Sequence, residues 1–174
     1  MAIVDDIYGN VDDFGLITSA EARELGVSNK ELVQQARRGK LVRVARGVYR
    51  MPVWPYQEAA PYAIAVRAAG EGAYLYGESV VALLGLAPTD PTRIWVASPN
   101  RVRRSIGDGV TVLGMQPAGP TDFYEGVRCQ RASDAIRAAV PRIGFERARE
   151  AAGAALRGGF ITEAEHEALE GELR

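Results

Sequence analysis

Residues 15–50 read GLITSAEARELGVSNKELVQQARRGKLVRVARGVYR, and the order of local signals in this stretch decides the fold of the N-terminal part. Thr18-Ser19-Ala20-Glu21 has the form of a capping box: the Thr hydroxyl accepts from the N3 amide while the Glu carboxylate reaches back to the N-cap amide. Ile17 before the cap and Ala22 after it can close a small hydrophobic staple. A helix from this cap runs to Leu25 and stops at Gly26. Ser28-Asn29-Lys30-Glu31 is a second capping box, so another helix begins after only a Gly-Val-Ser turn, and Gly39 ends it. Leu41 to Arg50 then hold two short β-branched runs around Ala45-Arg46-Gly47, which read as a tight hairpin. Two helices joined by so short a turn and followed by a hairpin make a winged helix-turn-helix.

The charge of this stretch stands apart from the rest. From Ser28 to Arg50 the basic residues are Lys30, Arg37, Arg38, Lys40, Arg43, Arg46 and Arg50, and the single acid is Glu31, a net +6 in a chain of net charge −1. Residues 1–27 carry one Arg against six acids, and residues 145–174 four Arg against seven. Such local concentration suits a phosphate-contacting surface, because neutralised phosphates supply most of a DNA-binding protein's affinity. In the second helix of the motif Leu32, Val33 and Ala36 are expected to face inward, with Lys30, Gln34 and Arg38 opposite and Arg37 on the flank. Ser28, Asn29, Lys30, Gln34, Arg37 and Arg38 are therefore the candidate major-groove residues, and Arg43 and Arg46 the candidate wing clamp. Glu31 would repel phosphate unless its capping role folds it back.

Around this unit the chain alternates elements. Ile3, Ile7 and Val11 share one face of an expected first helix over residues 3–13, broken by Gly15. Pro52-Val53-Trp54-Pro55 reads as a rigid connector that packs the wing against the second half of the chain. Helices are expected at Glu58–Ala69 and Ser79–Leu84, strands at Arg93–Ala97 and Val110–Leu113, and a third strand within Phe123–Cys129. Helices resume at Ala132–Val140, Phe145–Leu156 and Glu163–Leu173. Gly159-Phe160-Ile161-Thr162-x-x-Glu165 repeats the capping pattern of Gly15–Glu21 without implying a domain repeat. The fold class is α+β: a winged helix-turn-helix domain over residues 1–52, followed by a mixed α/β domain over 53–174.

The string G-L-I-T-x-x-E-A-x-x-x-G-V-S-x-x-x-L, then R-x-G-x-L-x-R-V-x-R-G-V-Y, resembles the N-terminal domain of AbiEi-type antitoxins. Y-L-Y-G-E-S-V-V-A-L-L-G-L-A-P followed by I-W-V-A-S-P-N-R resembles their C-terminal region. These are the antitoxins of bacterial type IV toxin–antitoxin pairs, whose toxins are nucleotidyltransferases. The resemblance implies a protein that binds operator DNA upstream of its own operon as an autorepressor and counteracts the toxin without needing a stable complex with it. A protein-interaction module that docks a partner through the winged domain, and a stand-alone transcriptional regulator, remain alternatives. A monomer on each operator repeat and a dimer spanning both are equally compatible with the sequence.

Other residues carry less chemistry. Arg101, Arg103 and Arg104 follow a strand and a Pro-Asn turn, an exposed loop that could add nucleic-acid or partner contacts. Tyr74, Tyr76 and Trp95 are expected to pack rather than stack on bases, His166 has no partner for a metal, and Cys129 has no neighbouring His. Both lysines, Lys30 and Lys40, lie in the winged unit, so a nuclease of the PD-(D/E)xK type behind it would lack its lysine. A Gly-rich phosphate loop and a paired-aspartate nucleotidyltransferase motif are also absent. The expectation is a non-enzyme needing no cofactor or metal and with no membrane segment. A single cysteine and an acidic N-terminus unlike a signal peptide point to the cytoplasm.

Overall fold

The N-terminal capping boxes form as the sequence requires and fix the first elements of the computed structural model, which describes residues 2–90 and 92–174. Helix α1 spans Ala2–Tyr8 and strand β1 Leu16–Thr18. Helix α2 (Ser19–Glu24) opens on Thr18, whose hydroxyl accepts from the Glu21 amide at 3.2 Å while the Thr18 amide donates to Glu21 Oε2 at 2.9 Å. Helix α3 (Asn29–Arg37) opens on Ser28 with the same reciprocal pair to Glu31. Gly26 and Gly39 end the two helices at φ +83° and +71°, the left-handed backbone that glycine adopts without a Cβ clash. Strands β2 (Val42–Ala45) and β3 (Val48–Arg50) close on Arg46-Gly47, and β3 runs between β1 and β2 in an antiparallel three-stranded sheet.

Beneath these elements lies a small core of Ile7, Ile17, Ala22, Val27, Leu32, Leu41 and Tyr49. Leu32 is fully buried, and removing such a side chain from water contributes about 1.5–3 kcal/mol. Three features depart from the sequence-based expectation. Helix α1 stops at Tyr8 rather than continuing to residue 13, because Gly9-Asn10 turns the chain; Val11 still packs on the core from outside the helix. Leu16–Thr18 form a strand where the sequence suggests only a staple, since β3 returns alongside them. Val33 is 36% exposed rather than inward, because Leu32 and Ala36 already fill the contact with the core.

Helix α4 (Ala60–Ala69) follows the connector and carries Pro61 in its first turn, where no intrahelical donor is lost. It packs against both sheets of the molecule. The second sheet has strand order β6-β5-β4-β8-β7, formed by β4 (Tyr74–Leu75), β5 (Ile94–Ala97), β6 (Val110–Leu113), β7 (Thr121–Tyr124) and β8 (Val127–Gln130). β5 and β6 run parallel, as do β4 and β8. The stretch expected to hold a single strand near Phe123–Cys129 is the β7–β8 hairpin, turning through Glu125 and Gly126 at φ +51° and +78°. Positive φ at both central positions matches the twist of the flanking strands, but Glu at the first is an uncommon choice and hides the turn.

Helix α5 (Glu78–Leu83) precedes β5; α6 (Ala132–Arg157) and α7 (Glu163–Glu172) complete the chain. Gly144 leaves helical geometry inside α6 at φ +81°, dividing it into the two segments expected from the sequence. Thr162 and Glu165 form a third reciprocal cap. The architecture is α+β, a winged helix-turn-helix with a mixed α/β unit behind it.

The two parts share one core. Phe14, Leu16 and Val48 lie in the same apolar cluster as Ala63, Val66, Leu75, Val127 and Cys129. Trp54 folds back over Gly15, donates its indole N–H to the Asp13 carbonyl at 3.0 Å, and meets Tyr8 edge-on. Across the junction Arg67 of α4 reaches Glu21 Oε2 at 2.6 Å and approaches Asp12 at 3.6 Å. One carboxylate oxygen thus serves both the α2 cap and this ion pair.

Candidate nucleic-acid interface

The winged unit presents a concave surface between α3 and the β2–β3 wing. This cleft of about 540 Å³ is lined by Asn29, Lys30, Val33, Gln34 and Arg37 from α3, Arg43, Arg46, Gly47 and Tyr49 from the wing, Ser19 from α2, and Arg104. Its cationic residues are Lys30, Arg37, Arg43, Arg46 and Arg104, and no carboxylate lines it among the described residues. Glu31, the one acid nearby in sequence, is folded back: the Ser28 amide and hydroxyl donate to its Oε2 at 2.7 and 2.9 Å. The Ser28 amide, with its hydroxyl second, holds the Glu31 carboxyl below its ordinary range, so the charge is occupied in capping.

The wing tip is fixed. The Ser19 amide donates to the Gly47 carbonyl at 2.9 Å, and Thr18 pairs with Val48 in the sheet. Arg46 therefore projects from a turn tied to the start of α2. The register between β2 and β3 slips between Arg43 and Ala45, a bulge that breaks the regular alternation of the edge strand.

Arg104 comes from the crossover between β5 and β6, more than fifty residues downstream of the wing. Its Nη2 donates to the Ala68 carbonyl at 2.9 Å, which anchors the guanidinium at the end of α4. Since α4 lies against the winged sheet, this bond brings Arg104 to the cleft. Its companions Arg101 and Arg103 are exposed on the same loop but do not line the cleft. Arg38, the C-cap residue of α3, and Ser28, its N-cap, are exposed outside the lining as well. Of the sequence-derived set, Asn29, Lys30, Gln34, Arg37, Arg43, Arg46 and Arg104 converge; Ser28, Arg38, Arg101 and Arg103 stand apart. Val33 is the lining residue that the helical wheel misplaces.

A neighbouring cleft of about 600 Å³ between α2, the wing tip and α4 is larger but electrically mixed. Arg46, Arg67, Arg104 and Arg128 line it together with Asp12, Glu21, Glu24 and Glu71. Balanced charge makes it the poorer phosphate surface.

The remaining candidates are structural. Tyr74 is buried and donates its hydroxyl to the Pro117 carbonyl at 3.0 Å. Trp95 is half-buried beneath the Arg142 guanidinium, 3.4 Å from the ring centre. Cys129 is a buried free thiol that burial pushes up to about 12, so it is no nucleophile. His166 is half-buried, 3.6 Å from Glu170. Among the described residues no cluster of three His, Cys, Asp or Glu side chains could hold a metal, and no helix is long and apolar enough to cross a membrane.

The two capped helices, the wing and all but one of the residues lining the basic cleft fall within one segment. Residues 11–52 match the AbiEi antitoxin family of transcriptional regulators. The AbiEi match runs from the turn after α1 to just beyond β3, and it covers every cleft residue except Arg104. It is a family of regulators rather than of enzymes. The chain is also similar to the crystal structure of the RV2827C protein from Mycobacterium tuberculosis, at 16% identity and a TM-score of 0.42, over 96% of this chain and 78% of that one. No curated protein sequence matches the chain.

Proposed function

We propose that this chain is an antitoxin of the AbiEi type that represses its own operon and counteracts a nucleotidyltransferase toxin. The observation that carries the DNA-binding part is a cleft of five cations with no carboxylate lining it among the described residues, four of the five lying inside the AbiEi-matched segment. In this reading α3 enters the major groove along its length, with Asn29, Lys30, Gln34 and Arg37 at base edges and phosphates. Arg43 and Arg46 hold the flanking backbone from the wing, and Arg104 adds a backbone contact from the second sheet. Residues 1–52 form the DNA-binding domain and 53–174 the domain that opposes the toxin. Toxin neutralisation rests on the family match rather than on the cleft.

The test is a gel shift with the DNA upstream of the protein's own coding sequence, against an unrelated fragment of equal length. Selective retardation of the upstream fragment at low salt is expected. Equal retardation of both fragments, or of neither, would overturn the operator-binding reading. For the second part, the reading requires a nucleotidyltransferase gene beside this one, and that gene is expressed with and without this chain. Growth arrest relieved by the chain supports the antitoxin role; arrest that persists refutes it.

A further inference from the structure

Beside the basic cleft, and sharing Val33, Arg37, Arg43 and Tyr49 with it, lies an apolar groove that phosphate binding leaves unexplained. Val33 lies within one turn of both Lys30 and Arg37 on α3, which sit about 60° and 40° to the same side of it around the helix axis. It remains 36% exposed, although a β-branched side chain gains nothing from an exposed helical position. Exposed single valines are common and mean little alone. This one is not alone. It lines a groove of about 500 Å³ together with Val42, 38% exposed on the wing, and with Ala36, Leu41 and Tyr49. Arg37 and Arg43 stand at the rim of the same groove. The result is an apolar surface flanked by cations, on the face that the proposed function turns toward DNA.

The one methyl group on the major-groove edge of the four DNA bases is the C5-methyl of thymine. We propose that Val33, backed by Val42, is a specificity-determining residue that reads thymine methyl groups, while the surrounding cations hold the phosphates. This inference rests on the DNA-binding reading and deepens it. It assigns to the operator a thymine opposite the centre of α3, a position where cytosine and purines offer no methyl group.

The experiment compares the upstream fragment made with thymidine against the same fragment made with deoxyuridine, which lacks the methyl group. Both are titrated by fluorescence anisotropy with the full-length wild-type chain and with Val33→Ala, whose folding is checked by circular dichroism. Each methyl buried against valine corresponds to about a fourfold change in affinity. The wild type should weaken by about that factor or more on deoxyuridine DNA, and Val33→Ala should lose most of the difference between the two fragments. Val33→Thr, which keeps one methyl, should fall between them. A wild type indifferent to the methyl overturns the inference while leaving DNA binding intact. An equal methyl dependence in wild type and Val33→Ala also overturns it, because the methyl is then read elsewhere. Failure to bind either fragment overturns the DNA-binding reading itself, and the inference with it.

Discussion

Replacing Arg104 by alanine should change the salt dependence of DNA binding, and by a calculable amount. The cleft holds five cationic side chains, Lys30, Arg37, Arg43, Arg46 and Arg104. If each neutralises one phosphate, the log–log slope of affinity against salt is about −4.5, and binding weakens about 500-fold between about 50 and 200 mM salt. Arg104→Ala removes one contact, giving a slope of about −3.6 and a loss of about 150-fold over the same range. Its deficit is therefore about three- to fourfold larger at the low-salt end than at the high-salt end. The Ala68 carbonyl loses its side-chain partner, which costs about 1 kcal/mol of stability and leaves the fold standing. Arg103→Ala is the matched control: same loop, same charge change, but outside the cleft. Anisotropy titrations across a series of salt concentrations measure all three slopes. A wild-type slope in Arg104→Ala, or an equal fall in Arg103→Ala, would refute the reasoning that ties the cleft lining to phosphate contacts.

Substitutions away from the cleft probe the packing that holds it. Gly15 sits at φ +71° with Trp54 only 2.5 Å from any added Cβ, so Gly15→Ala should lower the free energy of unfolding by about 2–4 kcal/mol in urea melts. Gly26→Ala, at φ +83° with nothing within 4 Å, meets only the backbone penalty and should cost about 1 kcal/mol; equal costs would contradict the Trp54 packing. Glu21→Ala removes the carboxylate half of the α2 capping box and the Arg67 pair together and should cost about 1–2 kcal/mol, whereas Glu24→Ala, exposed on the same helix, should be nearly neutral in the same melts. Cys129, raised by burial from 9.0 to about 12, should react with a disulfide reagent at pH 8 about a thousandfold more slowly folded than unfolded. Because its folded pKa lies above the unfolded one, the stabilisation is complete below about pH 9 and is lost as pH climbs toward 12. Cys129→Ala should flatten that alkaline decline, and an unchanged pH profile would count against the burial.

The features legible in the chain without its structure are those whose chemistry is confined to a few residues. The caps at Thr18, Ser28 and Thr162 each need only a hydroxyl and a carboxylate three residues apart, and all three form. The Arg46-Gly47 tip is equally local, needing one glycine at positive φ between two β-branched runs. The features that escape a sequence reading depend on distant partners. Leu16–Thr18 become a strand only because β3 returns about thirty residues later. Val33 looks like a core residue on a helical wheel, and only the packing of Leu32 and Ala36 shows that the core is already filled. Arg104 can be placed on a loop from sequence, but its arrival at the wing depends on α4 lying between two sheets and offering the Ala68 carbonyl. Three arginines within four residues look equivalent in sequence, and one hydrogen bond distinguishes them.

The apolar cluster that joins Phe14, Leu16 and Val48 to Val66 and Val127 has a practical meaning for anyone wishing to re-use the winged segment. Phe14 also leans on the Gly126 turn, where a Cβ would come within 3.2 Å of its ring. A fragment ending at residue 52 would carry these side chains into water and would be expected to clump or unfold. The winged segment is therefore a poor cassette for fusion proteins: a graft that keeps its shape must bring along α4 and the β7–β8 hairpin, or replace their covering with new apolar surface.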